Sequence, residues 1–398
     1  MLQPKPRSLS IPAPDAVAQT PLFGVIDSVL VEDPAPFVFD GAIVRSHAEG
    51  TWTWLSRDIA ADLLDPLRAL PADDARAAFE AGIPALLARA RAALALGTPG
   101  SDAERRIRVQ VGGAEALQRL PLLLNALKCS PFLDKARAFG RAVNGIQDDA
   151  ALATALQSMP RHDAAVAALL MMAAIGEVVA PGRLVCGATR IAGGAAETDI
   201  IRAGFAPLVD ALLAHAQNAI PPMLQPGAFG DMDLVCRAVE RFHRLSRAIG
   251  TYLELPRGGR WSPVVAALTK TVSDRLAPQL RGVVADINQS LRRPREAVDP
   301  LQLLTALNGL YLLATVRDCR DSLALNEIVD EAWGRSGQVL DVHLERTLDA
   351  LRAAPTDPEV AARLEAGIKM AEIRFGAAYA AVLDEARAGV GRRIAASS

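Results

Sequence analysis

The chain has 398 residues, 51% of them hydrophobic and 22% charged, with a net charge of −2. That balance argues against a general polyanion binder, and the length suits two or three domains or one extended helical array. Aromatics make up only 4%, so the core must be built from Ala, Leu and Val, small side chains that let helices approach closely.

Residues 1–20 hold Pro4, Pro6, Pro12 and Pro14 and no apolar h-region, which predicts a flexible tail rather than a signal peptide. Residues 21–128 read as a mixed α/β region. Short strands are expected at 42–44 and 51–55 around a polar turn at 46–50, with Trp52 and Trp54 on one strand face. Ser56 can cap a helix reaching Leu70, and a second helical pattern runs over 72–96 with Pro84 interrupting it. Ile107, Val109 and Val111 alternate with Arg108 and Gln110, the pattern of a half-buried strand. Gly112 and Gly113 then turn into a helix over 114–128.

Residues 129–221 carry shorter, Ala-rich helices, opened by Ser130 and Pro131, by Asp149, and by His162 and Asp163, followed by helices over 184–192 and 197–220. The longest uncharged run, 164–176, falls short of the roughly 20 residues a bilayer span needs. The spacing resembles that of stacked α-repeats, although no motif repeats along it. Pro221, Pro222, Pro226, Gly227 and Gly230 mark a linker.

Beyond the linker, residues 231–398 predict a bundle of long helices. The first covers 231–255. The second, over 262–293, organises the rest: Val265, Leu268, Val272, Leu276, Leu280, Val283, Ile287 and Leu291 form one stripe near the 3.6-residue period. Ser262 is its expected N-cap, Pro278 is expected to kink or split it, and Arg292, Arg293 and Arg295 complement its C-terminal dipole. Asp299 and Pro300 open a helix ending near Cys319. Residues 321–351 read as helical with a break between Gly334 and Gly337. Asp357 and Pro358 open the last helix, striped by Val360, Leu364, Ile368, Ala371, Phe375, Ala378 and Val382. The fold class is therefore mainly α: an elongated multi-helix bundle in the C-terminal half, shorter stacked helices in the middle and a small α/β element near the N-terminus.

Candidate chemistry is sparse. Glu240 and His243 form a Glu-x-x-His, half of a bundled di-iron site. The residues three before the other histidines are Val44, Met159, Leu212 and Leu340, so the second half is missing and a surface ion pair is expected instead. Asp341, His343 and Glu345 diverge on a helix, Asp148 and Asp149 read as a cap, and Met171 and Met172 as core. Gly112 and Gly113 lack the further residues of a dinucleotide or P-loop turn. Arg317 and Asp321 stand at a helix end where an anion could bind. The basic turns of Arg257 and Arg260, and of Arg292, Arg293 and Arg295, lack the interleaved aromatics of a single-strand binder.

Cys129, Cys186, Cys236 and Cys319 form no CxxC and read as buried free thiols of a reducing compartment; Cys236 and His243, seven apart on one helix, could approach one another. The Arg and Ala bias, with only Lys5, Lys128, Lys135, Lys270 and Lys369 as lysines, reads as a GC-rich bacterial genome. The expectation is a bacterial, cytoplasmic, non-catalytic helical scaffold or adaptor without a cofactor, a metal or a membrane span. Its partner would be another protein or a second copy of itself, with nucleic acid disfavoured. The alternative is an enzyme or small-molecule binder with an apolar pocket between helices, for which Glu240, His243, Arg317 and Asp321 are the first candidate residues.

Overall fold

A computed structural model of the chain describes residues 20–224, 231–293 and 297–397. It is 78% helical, with 18 α-helices and one two-stranded parallel sheet among those residues. The chain divides into two compact units, Met1–His215 and Ala216–Ser398.

In the first unit the helices are α1 (Pro21–Ile26), α2 (Arg45–Trp54), α3 (Ala61–Leu64), α4 (Ala72–Ala95), α5 (Asp102–Gln110), α6 (Ala114–Lys128), α7 (Ser130–Val143), α8 (Asp149–Gln157), α9 (Ala164–Ile175), α10 (Pro181–Ala192) and α11 (Glu197–Arg202); α12 (Ala206–Asn218) runs past the division. The sheet is only β1 (Leu30–Val31) beside β2 (Ile43–Val44), with Leu30 opposite Ile43 and Val31 opposite Val44. α9 is buried along 167–175 and lies on α7, where Gly140 lets the two backbones meet.

Both remaining strand expectations are overturned. Residues 51–55 belong to α2 and to the π-helical turn Leu55–Ile59 that follows it. Two threonines tolerate the helix by donating backwards, Thr51 Oγ1 to the His47 carbonyl at 2.9 Å and Thr53 Oγ1 to that of Glu49 at 3.0 Å. Trp54 is buried, whereas Trp52 turns away and packs edge-on against Phe79 with centroids 5.8 Å apart. Ser56 caps no helix to Leu70; its stretch breaks into α3 and a 3-10 turn, Asp65–Ala69.

Residues 107–111 close α5 rather than forming a strand. Ile107 and Val111 are four apart and buried on one face, while Val109 stands 78% exposed on the other. Alternation over five residues satisfies the helix equally well, and the capping box Ser101-x-x-Glu104 decides for it. Ser101 Oγ accepts from Glu104 N at 3.1 Å, and the Glu104 carboxylate accepts from Gly100 N. Residues 197–220 also divide. Gly204 adopts φ +77°, with Phe205 N bonded to Ile200 O and Gly204 N to Ile201 O, a Schellman ending sealed by the buried pair Ile200 and Phe205. α4 continues through Pro84 without a break.

The second unit holds α13 (Met232–Tyr252), α14 (Ser262–Leu291), α15 (Pro300–Asp318), α16 (Asn326–Ala353), α17 (Pro358–Phe375) and α18 (Ala377–Ser397). α14 packs on both α15 and α16; α15 also meets α13 and α17, and α17 meets α16 and α18. The α14 stripe from Leu268 to Leu291 is buried, with Val265 half-buried at its head. Each such side chain is worth about 1.5–3 kcal/mol when fully buried. Pro278 does not split α14, because buried Leu276 and Leu280 anchor the turns on either side of it.

Three local expectations fail here. Ser262 is the first helical residue, and no side chain caps α14. α16 runs unbroken through Gly334 and Gly337. The last stripe is cut at Gly376, whose φ of +98° ends α17, and Val382 beyond it is 65% exposed. α17 also secures the exit of α14: Arg363, only 4% exposed, donates through Nε to the Ser290 carbonyl at 3.1 Å and through Nη2 to that of Ala297 at 3.4 Å.

Candidate functional site

Glycine in a helix interior costs about 1 kcal/mol relative to alanine. Gly337, in the middle of α16, has a use for its missing side chain: a Cβ there would stand 2.7 Å from Nη2 of Arg374. Arg374, in the last turn of α17, lies across that gap. Its Nε donates to the Trp333 carbonyl at 3.1 Å, and its guanidinium carbon sits 4.3 Å from the centroid of the Trp333 ring. Arg317, in the last turn of α15, reaches the same indole at 4.4 Å. Two cations thus share one aromatic ring.

No carboxylate pairs with either guanidinium among the described residues. Burial holds the Arg374 pKa below its usual value, and the like charge of Arg317 pushes the same way. The C-terminal dipoles of α15 and α17 partly offset the repulsion. Beside Arg374 an aromatic surface continues. The Phe375 ring stands 5.1 Å from that guanidinium and 4.7 Å from the Tyr379 ring, with both rings more than a third exposed. Tyr379 donates to Asp341 Oδ1 at 2.7 Å, a bond that raises its phenol pKa. Trp333, Gly337 and Asp341 follow at steps of four along α16, so one helix stripe carries the ring, the gap and the acid. The group offers planar donors, charge and aromatic faces, with the Asp341 carboxylate engaged by the Tyr379 hydroxyl.

Glu240, His243 and Asp321 gather elsewhere in the second unit. The 3-10 turn Arg320–Ser322 packs on α13, and Ser322 Oγ reaches the His243 carbonyl at 3.5 Å. His243 is half-buried with an unpartnered Nδ1. Burial lowers its pKa, opposed by the Cys319 backbone and by Asp321. The Cys319 thiol is pushed up to about 12, by burial first and then by Glu240 and Asp318. Cys236 is raised by burial as well. The structure therefore brings Glu240, His243 and Asp321 around Cys319 and sends Arg317 to Trp333 instead. Thiols held protonated in this way are poor nucleophiles. Among the described residues no three His, Cys, Asp or Glu side chains gather closely enough to hold a metal.

Arg257 and Arg292 are exposed, and Arg260 and Arg293 already have partners. The two turns lie at opposite ends of the 30-residue α14, about 45 Å apart at 1.5 Å per residue, so they cannot grip one small anion. Arg295 lies outside the described residues. A separate groove of about 590 Å³ in the first unit runs beside α6 and α9, where Gln118, Arg119 and Asn125 face Ala164 and Ala168.

Sequence patterns do not single out Trp333, Gly337, Arg374 or Tyr379. One clue does exist: Gly337 falls between Trp333 and Asp341 at helical spacing, so a glycine there can mark a seat as readily as a break. Compared with protein-family models, curated proteins and solved structures, the chain matches none.

Proposed function

We propose that the chain is a non-catalytic helical scaffold or adaptor that binds another protein through the Trp333, Arg374 and Tyr379 face of its second unit. The observation that supports this reading is the composition of that face. Trp, Tyr and Arg are the side chains that dominate binding energy at protein interfaces, and here they are held by mutual contacts and hydrogen bonds yet partly exposed. The wider setting we propose is a bacterial cytoplasm. The four free cysteines fit a reducing compartment, and no helix among the described residues is long and apolar enough to cross a membrane.

The test is comparative affinity purification from native extract with wild type and Trp333→Ala. A partner retained by wild type and lost by the variant supports the reading. A chain that stays monomeric and captures the same background as the variant refutes it.

A second reading, a small-molecule binder, rests on the 590 Å³ groove, whose volume lies within the range of ligand pockets. Native mass spectrometry of the freshly isolated protein checks it: a bound compound released by Arg119→Ala supports it, and a bare chain argues against it.

A further inference from the structure

We propose that Arg317, Trp333 and Arg374 form a carboxylate-binding seat that takes an acidic segment of a partner protein, with an apolar residue of that segment lying on Phe375 and Tyr379. This rests on the protein-interaction reading above and adds the chemistry of the partner.

Three independent features converge on it. The first is charge: two guanidiniums sit within 4.4 Å of one ring centroid with no carboxylate paired to either among the described residues. A guanidinium fork matches a carboxylate in plane and donor spacing, so an incoming Asp or Glu supplies the missing counter-ion. The second is construction. Arg374 is fixed by the Trp333 carbonyl and fills the space that Gly337 leaves open, so the site is built rather than the chance meeting of two mobile side chains. The third is the neighbouring apolar surface, Phe375 and Tyr379, which gives an extended segment a second point of purchase.

The occupant is a short acidic peptide rather than a nucleic acid. Asp341 and Glu345 flank Tyr379 and would repel a continuous phosphate backbone, whereas one or two carboxylates can be placed on the arginines alone.

The experiment uses the full chain and a fluorescein-labelled Gly/Ser dodecapeptide carrying two Glu and one Leu, followed by polarisation. A Gln-for-Glu peptide, inorganic phosphate and a single-stranded oligonucleotide serve as competitors. The expected result is binding of the Glu peptide that weakens with salt, with the Gln peptide and the oligonucleotide failing to compete. Arg317→Gln and Arg374→Gln should each lower affinity roughly ten- to a hundredfold, the range for a hydrogen bond to a charged group. Gly337→Ala should lower it too, because the new methyl displaces Arg374 while leaving every charge in the chain and favouring the helix. That variant separates a lost seat from a lost fold.

Equal binding of Glu and Gln peptides, or indifference to all three substitutions, overturns the proposal. Phosphate competing at low millimolar concentration, or preference for the oligonucleotide, overturns the acidic-peptide assignment. If Arg317→Gln with Arg374→Gln retains the native partner that Trp333→Ala loses, the seat fails while the interaction reading stands. If wild type has no partner, that reading fails.

Discussion

Glycines separate the two units. In the first, a Cβ on Gly140 would fall on the backbone carbonyl of Ala174, and one on Gly50 on that of Val111. In the second, the same addition at Gly367 meets the Leu344 Cδ2 at 2.8 Å, and at Gly337 it meets the end of Arg374. The first unit sets backbone on backbone at Gly41, Gly50 and Gly140, although Gly187 there meets the Leu156 Cδ1 at 2.8 Å; at Gly337 and Gly367 the second sets backbone against side chains. A carbonyl in a helix cannot step aside, whereas a leucine methyl or a guanidinium can. The Gly140 contact between α7 and α9 therefore has no side chain to give way, whereas at Gly367 the Leu344 side chain can.

The largest effect expected from this contrast lies in the second unit's core. Leu280 is fully buried in the stripe of α14, the helix that packs on both α15 and α16. Leu280→Ala should destabilise that unit by about 2–5 kcal/mol, read as a lower urea midpoint with hydrogen exchange accelerated in residues 232–397. Exchange that accelerates equally over both units would show that they unfold together and would erase the distinction.

The glycines give the direct test. Gly140→Ala should cost about 1–3 kcal/mol through overpacking, more than offsetting the gain in helix propensity. Gly367→Ala should cost under about 1 kcal/mol, because the Leu344 side chain can move to relieve the contact. Equal losses in paired urea titrations would break the comparison.

Protonation sharpens it next. His343 is 4% exposed on α16, with Nε2 2.8 Å from Asn288 Oδ1, so the ring donates there and leaves Nδ1 as a bare, buried lone pair. Burial lowers its pKa from 6.5, and Arg346 adds to the shift. Because the folded pKa is the lower one, the unfolded chain takes up the proton first. Stability is whole above the unfolded value and declines as pH falls through 6.5 toward the folded pKa. His243 acts in the same direction. The second unit should melt at a lower temperature at about pH 5.5 than at about pH 7.5, and His343→Gln, which can keep a bond to Asn288, should flatten part of that slope. An unchanged slope in scanning calorimetry would show that His343 has no part in it.

The long helices were legible because a stripe of eight apolar residues over thirty positions has one reading. Short segments do not: Ile107, Val109 and Val111 fit a strand and a helix face alike, and only the Ser101 and Glu104 capping pair distinguishes them. Glycine misled twice in opposite senses. Gly337 passes through a helix because Arg374 occupies its space, and Gly376 ends one because its φ is positive. The Trp333 seat draws on three helices separated by up to about sixty residues of chain, and no local pattern encodes that meeting. The grouping of Asp321 with His243 rather than with Arg317 depends equally on how α13 meets the turn after α15.

The smallest effect concerns helix starts. Asp299, Asp357 and Ser262 all precede proline, so local pattern alone assigns them one role. The structure assigns it to two of them. Asp299 Oδ1 accepts from Leu301 N at 2.9 Å, and Asp357 Oδ1 from Glu359 N at 3.0 Å, while Ser262 makes no cap because the turn before α14 is already helical at Trp261. Asp299→Ala and Asp357→Ala should each destabilise by about 1 kcal/mol, and Ser262→Ala by less than about 0.5 kcal/mol. The difference is readable as a shift in urea midpoint under one set of conditions. It also identifies what starts α14: buried Trp261, whose carbonyl accepts from Val265 N at 3.0 Å, fixes that first turn by packing. A Ser262→Ala loss as large as that of Asp299→Ala would return the role to the hydroxyl and would mean that the longest helix begins as its neighbours do.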